Sequence, residues 1–282
     1  MSYNRTNLMN ADLSGSTEFA NSNLAYAILT GATIDYLTDL SHTILTGVSS
    51  GKVTYVANTT VGVVDAGPKL PPNWSIIKGY LVGPGANLIN ANLSGTAPAV
   101  AANQVGTAAV PASANYVAQV GTAAIPASSD YSPAVTAATA ILTDMSNLKI
   151  YGADFTGANL SYVRFTGSGL ATCIFSGANI IGSVFSNCNL DQTVFSSAIF
   201  SNATTFKKYE DNTVGRVIND DKSASLSGII SGRIIDSSNN IFAYSASTNA
   251  ERVIAATKLP RNWEIINGYL VGPSANLINA EL

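Results

Sequence analysis

From Met145 onward, every fifth residue is large and apolar. The run is Met145, Ile150, Phe155, Leu160, Phe165, Leu170, Phe175, Ile180, Phe185, Leu190, Phe195 and Phe200, twelve positions without a break. Two residues ahead of each lies a second slot, filled (Leu148 apart) by small or medium residues such as Ala153, Ala158, Ser168, Cys173, Ser183 and Cys188. Two residues after each, eight of the twelve positions are Gly or Asn, among them Asn147, Gly152, Gly157 and Gly167. A period of five suits neither an α-helix at 3.6 nor a long strand at 2.0. It suits a short extended piece ending in a corner. Residues two apart on an extended piece face the same side, so the large residue and its small predecessor both point inward. The Gly or Asn supplies the positive φ that a tight corner often demands. Each five-residue unit is then one side of a coil.

The same beat runs through the N-terminal part, with interruptions. Leu8 and Leu13 are in phase, then Phe19, Leu24, Leu29 and Ile34, then Leu40 and Leu45. Steps of six at 13–19, 34–40 and 200–206 read as one-residue corner insertions. A longer duplication overlies the beat: KLPPNWSIIKGYLVGPGANLINANL (69–93) recurs as KLPRNWEIINGYLVGPSANLINAEL (258–282), identical at twenty of 25 positions. Within it, Trp74–Ile77, Lys78–Gly79 and Tyr80–Val82 predict two short strands about a turn. Leu88 and Leu93 then restart the period. Residues 94–140, rich in Ala, Val and Pro, hold a second duplication, QVGTAAVPASANYVA followed by QVGTAAIPASSDYSPA. They read either as coils with a thin core or as a protruding arm.

Segments such as ADFTG and ANLSY (153–162), SGANI (176–180) and NADLSG (10–15) resemble the A-[DN]-[LF]-x-x units of the pentapeptide-repeat family. The duplicated module resembles ones that punctuate such proteins in bacteria and viruses. The resemblance implies an all-β fold, a right-handed quadrilateral β-helix with four pentapeptides per coil, carrying hairpin and loop insertions. In that frame residues 20 apart stack. Phe155, Phe175 and Phe195 form one column, Met145, Phe165 and Phe185 the opposite one. Ile150, Leu170 and Leu190, and then Leu160, Ile180 and Phe200, fill the remaining two. The expected organisation is coils over 1–48, a module over 49–93, the Ala/Val/Pro segment over 94–140, a regular solenoid over 141–206, and a charged loop with the second module over 207–282.

Composition narrows the function. Charged residues are only 11% of the chain, against a usual quarter or so, so Ser, Thr, Asn and Gly must cover the surface. Such a surface offers little repulsion against association. The net charge of −3 gives no basic patch for nucleic acid. No apolar run is long enough to span a membrane, and MSYNRTNLMNADL is not a secretory signal, which leaves cytoplasm or virion as the expected location.

Catalytic chemistry finds no purchase. The single histidine, His42, lies between Ser41 and Thr43 at an expected corner, with no partner motif for a nucleophile or a metal. Cys173 and Cys188 occupy the small inward slot, without the basic neighbours that would activate a thiol. The acidic residues Glu210, Asp211, Asp220 and Asp221 sit in a charged stretch, 206–223, that lacks calcium-loop spacing and reads as a solvated loop. Trp74 and Trp263 could form a carbohydrate platform, but packing of each Trp onto the coil beneath it is the simpler reading.

No catalytic, cofactor-binding or metal-ligating residue is therefore assigned. The expectation is a non-catalytic structural solenoid in a larger assembly, a virion or surface structure, with protein partners: like chains or lattice neighbours, stacked head to tail or side by side, continuation of the chain past residue 282 being the alternative to end-to-end stacking. Ile174, Val184, Val194 and Ile199, which point outward, are the candidate contact face. Two alternatives carry less: a DNA-mimicking, topoisomerase-interacting protein, which the resemblance allows but the near-neutral walls disfavour, and a carbohydrate-binding β-helix.

Overall fold

The fold is set by hydrogen bonds between residues about 20 apart. Phe155 N–H donates to Ile174 C=O at 2.7 Å, and Ile174 N–H donates back to Ala153 C=O at 3.0 Å. Repetition of this exchange gives four parallel ladders, one per side of the coil. Wall one stacks Lys149, Gly169, Asn189 and Ser225; wall two stacks Asp154, Ile174, Val194 and Ile230. Wall three stacks Asn159, Asn179, Ile199 and Ile235; wall four stacks Asp144, Arg164, Val184 and Thr205. The computed structural model describes residues 1–60, 67–96, 142–201, 204–206, 224–242, 259–260 and 262–282, and no helix occurs among them. Of the expected segments, most of 94–140 and of the charged loop lies outside the described residues.

The corners are made by backbone in the left-handed region, whatever the side chain. Gly152, Gly157 and Gly167 have φ between 65° and 76°, but Tyr162, Thr172 and Gln192 adopt 56–61° at equivalent corners. The six-residue steps are corner insertions, as read from the sequence. They lengthen each N-terminal coil to 21 residues, so that Asn7 pairs with Ile28 and Ile28 with Ser49. At one insertion the Asp35 Oδ1 accepts from the N–H groups of Leu37, Thr38 and Gly15, which satisfies a corner the ladder leaves open.

Wall two runs from Asn7 through Ile28, Ser49 and Asn87 to Asp154 and on to Ile230. Asn87 pairs directly with Asp154, and Asn92 with Asn159. Asp144 on wall four and Lys149 on wall one continue the coil that Asn87 and Asn92 begin on walls two and three.

The interior is stacked phenylalanine. Phe155, Phe175 and Phe195 are fully buried, with successive ring centroids 5.1 and 4.9 Å apart and rings within 8° of parallel. Phe165 and Phe185 form the opposite column at 5.0 Å, continued by Phe206 at 5.3 Å. Edges of one column meet faces of the other at 6.0–6.4 Å, the favoured arrangement for aromatic quadrupoles. Ile150, Leu160, Leu170, Ile180, Leu190 and Phe200 complete the core, all fully buried.

Each module contributes an antiparallel hairpin: β1 (Ser75–Ile77) with β2 (Tyr80–Val82), and β3 (Glu264–Ile266) with β4 (Tyr269–Val271). Positive φ at both turn residues, Lys78–Gly79 and Asn267–Gly268, matches the strand twist of a tight hairpin. The first hairpin is a layer within the stack. Its Leu81 and Ile76 join the upper core of Leu24, Leu29, Leu40 and Leu45; its Val82, Ile77 and Tyr80 join the lower core that the phenylalanines fill.

Candidate functional site

The inward small residues link the coils as well as filling space. Ser168 Oγ donates to Met145 C=O at 2.7 Å, Ser183 Oγ to Leu160 C=O at 2.6 Å and Thr204 Oγ1 to Ile180 C=O at 3.0 Å. The thiols do the same: Cys173 Sγ to Ile150 C=O at 3.2 Å and Cys188 Sγ to Phe165 C=O at 2.8 Å. Each side chain thus reaches a core-position carbonyl in the coil above. Burial pushes both thiols up to about 12, opposite to what a nucleophile or metal ligand needs. Neither cysteine should react with a disulfide reagent at pH 8 in the native protein, while both should react in denaturant. Fast native labelling of either would mean the wall is open there.

Among the described residues no three His, Cys, Asp or Glu side chains gather as metal ligands would. His42 is exposed at a corner with φ 58°, a position chosen by the backbone rather than by a reacting partner. Asp39, held at about 2 chiefly by the Ser41 hydroxyl and N–H with help from Lys69, serves as a turn acceptor. Glu210, Asp211, Asp220 and Asp221 lie outside the described residues. No helix among the described residues is long and apolar enough to cross a membrane.

The tryptophans are half-buried packing residues. Trp74 lies over Gly83 so closely that a Cβ on that glycine would come within 2.3 Å of the indole, and Trp263 lies over Gly272 identically. The backbone N–H of each Trp donates within its own module, to Pro71 C=O and Pro260 C=O respectively, at 3.2 Å. Trp74 touches both the upper and the lower core.

The walls carry the outward residues of the described coils. Ile174 and Val194 stack on wall two, joined below by Ile230. Ile199 is on the adjacent wall three, above Ile235, while Val184 is on wall four, opposite wall two. The four residues therefore do not form the single stripe expected of them. A step of five moves the chain one wall round, so residues ten apart face opposite ways and only those 20 apart adjoin. What the structure brings together is an apolar edge of walls two and three, in which Ile230 is 39% exposed. Ile230 and Ile235 escaped the sequence reading because residues 207–223 intervene and break the 20-residue count. Their outward neighbours are mostly uncharged: Asn159, Asn179, Asn189, Gly169 and Ser225.

Residues 142–170 and 173–204 match the family model of pentapeptide repeats, in 8 copies. No curated protein matches the chain. Among solved structures, HetL, a pentapeptide repeat protein involved in heterocyst differentiation regulation in the cyanobacterium Nostoc sp. strain PCC 7120, is similar at 16% identity. That match covers 84% of this chain and 92% of HetL, with a TM-score of 0.21. QnrB1, a plasmid-mediated fluoroquinolone resistance protein, in its trypsin-treated form is similar at 12% identity over 89% of this chain and 93% of its own, with a TM-score of 0.27. The unbroken five-residue phase, the four ladders and the family match together show pentapeptide repeats over 142–170 and 173–204, within an all-β right-handed quadrilateral β-helix.

Proposed function

We propose that this protein is a non-catalytic scaffold whose walls hold protein neighbours in a larger assembly, a virion or surface structure. The observation that carries this reading is the apolar edge formed by Ile174, Val194 and Ile230 on wall two with Ile199 and Ile235 on wall three. It stands on a rigid, weakly charged frame. Isoleucine and valine stacked one strand spacing apart make a flat strip that water solvates poorly and that a neighbouring protein surface can cover. Burial of Cys173 and Cys188, which pushes both thiols up to about 12, suits packing rather than reaction. A uniformly acidic potential, which a DNA mimic needs, is not supported by walls bearing Lys149 and Arg164 beside Asp144 and Asp154.

The test places a photo-activated cross-linker at residue 194 on wall two or at residue 189 on wall one, in material from the native source. Mass spectrometry of purified particles or cell fractions then maps the peptides captured. Defined protein partners captured from 194 and not from 189 are expected. Equal capture from both positions, or none from 194, contradicts the proposal.

A further inference from the structure

Between Asn7 and Ile230, the ladder of wall two carries a single charge, that of Asp154. Its outward residues are apolar above and below and polar between. Ile28, 36% exposed, stands above, while Ile174, Val194 and Ile230 stand below. Ser49, Asn87 and Asp154 separate the two groups. Tyr26, 56% exposed at the corner beside Ile28, adds to the upper group. A wall ordered in this way reads nearly the same from either direction along the stack.

The polar middle holds one donor and one acceptor in reserve. Asn87 Oδ1 accepts the Ile89 N–H at 3.2 Å, while its Nδ2 donates to nothing among the described residues. Asp154 Oδ1 accepts both the N–H and the hydroxyl of Thr156, at 2.9 and 2.6 Å. Its Oδ2 accepts nothing among the described residues. The two residues are neighbours in the ladder, yet their side chains are not bonded to each other.

The corner between walls one and two repeats the order independently. Backbone bonds stack Tyr26, Gly47, Gly85, Gly152, Thr172 and Gln192 there, one per coil. All six have positive φ. The three glycines leave the middle of the corner bare, and side chains stand only above and below it. Tyr26, Thr172 and Gln192 hold φ of 59–61°, which costs residues of their kind conformational energy. Strained positions of this sort persist where something other than the backbone selects the side chain.

We propose that wall two is covered by wall two of a second copy of this chain, antiparallel, with a two-fold axis between the levels of Asn87 and Asp154. The proposal rests on the scaffold reading and deepens it by naming a like chain as a neighbour. A two-fold contact needs a surface that complements itself. In this register Ile28 meets Val194 of the second copy, Tyr26 meets Gln192, and the bare corners at Gly85 and Gly152 meet each other. Asn87 Nδ2 donates to Asp154 Oδ2 of the second copy, and the symmetry makes that charge-assisted bond twice. Sliding the copies by one coil sets Asp154 against Asp154 in one direction, and Val194 against Asn7 in the other. A parallel arrangement also sets Asp154 against itself, a like-charge contact that opposes association. The covered strip is about 34 Å long at roughly 4.8 Å per strand spacing and one wall wide. That is less than a permanent dimer buries, so the dimer forms with rising concentration.

Sedimentation equilibrium of the full chain is the test, with a charge exchange. Wild type is expected to pass from monomer to dimer as concentration rises. Asn87→Asp sets carboxylate against carboxylate at both positions and should weaken the dimer by about tenfold or more, less so in high salt. Adding Asp154→Asn restores the pairing in reverse, and with it dimerisation close to that of wild type. Unchanged circular dichroism and melting verify that each variant folds. Should Asn87→Asp disturb its own coil, a chain carrying Ile28→Cys with Val194→Cys reads the register instead. On oxidation it should form disulfide-linked dimers, and neither single variant should. Wild type that stays monomeric at every concentration overturns the proposal. So does a double exchange that remains as weak as Asn87→Asp alone, or a paired-cysteine chain that forms no linked dimer. A monomeric wild type whose residue 194 captures a different protein removes the second copy and leaves the scaffold reading standing, whereas no capture at all removes both.

Discussion

Phe175→Asp is expected to abolish folding of the regular coils between 142 and 206. The ring is fully buried between Phe155 and Phe195, at 5.1 and 4.9 Å, and meets Phe165 and Phe185 edge-on. Truncating a buried Phe costs about 3–5 kcal/mol through lost transfer energy and the cavity left behind. A carboxylate in its place has no partner within the column, and an unpaired buried charge costs several kcal/mol more. Together these approach the whole stability of an ordinary domain, about 5–15 kcal/mol. In a solenoid each coil is held by its neighbours, so the loss spreads to the coils above and below. Asn179→Asp is the contrasting substitution. Asn179 faces outward on wall three, and its Oδ1 accepts the Ile181 N–H at 3.2 Å, which a carboxylate oxygen would do equally well. Melting followed by circular dichroism should show no native transition for the first variant and a change within about 0.5 kcal/mol for the second.

Trp74→Ala should cost more than Trp263→Ala, although the two indoles sit in nearly identical sequence. Both cover a glycine at the same distances. Trp74 packs against the upper and lower cores, whereas Trp263 packs against the lower core alone. Removal of Trp74 therefore opens a cavity between two packed layers, at a cost of about 3 kcal/mol or more. Removal of Trp263 opens one at a face with less packed against it. Denaturant midpoints of the two single variants measure the difference. Equal destabilisation would mean that the first hairpin does not join the two cores as described.

The parts of this fold written in local pattern were legible. The five-residue phase gave the inward residues, from Phe155 through Phe195, and the family resemblance, with four units to a coil, arranged them into columns. The first hairpin was legible from Lys78–Gly79 between short β-forming runs, and the second follows from the duplication of that module. The lateral surface was not. Ile174, Val184, Val194 and Ile199 look like a row on the page, yet a step of five turns the chain by one wall, so the row is spread over three of them. Ile230 and Ile235 belong with Val194 and Ile199, but the intervening residues disguise the register. The inward Ser, Thr and Cys looked like small fillers. Their hydrogen bonds to the coil above depend on a stacking distance that composition does not carry. The corner residues Tyr162, Thr172 and Gln192 show the converse. The ladder imposes the left-handed conformation on side chains that would not choose it.

The central claim is one continuous stack in which the coil of Asn87 rests directly on that of Asp154. Spin labels at Asn7→Cys and Ile230→Cys, both on wall two, test it most directly. The buried native thiols stay unlabelled. Seven successive ladder pairings separate the two sites, Asn7 to Ile28, Ser49, Asn87, Asp154, Ile174, Val194 and Ile230. At roughly 4.8 Å per strand spacing they place the backbones about 34 Å apart. Pulsed electron–electron resonance in dilute solution should give a single narrow distribution near that distance. A distance longer by about 10 Å, as two further coils between Asn87 and Asp154 would produce, or a broad distribution without a maximum, would contradict the stack.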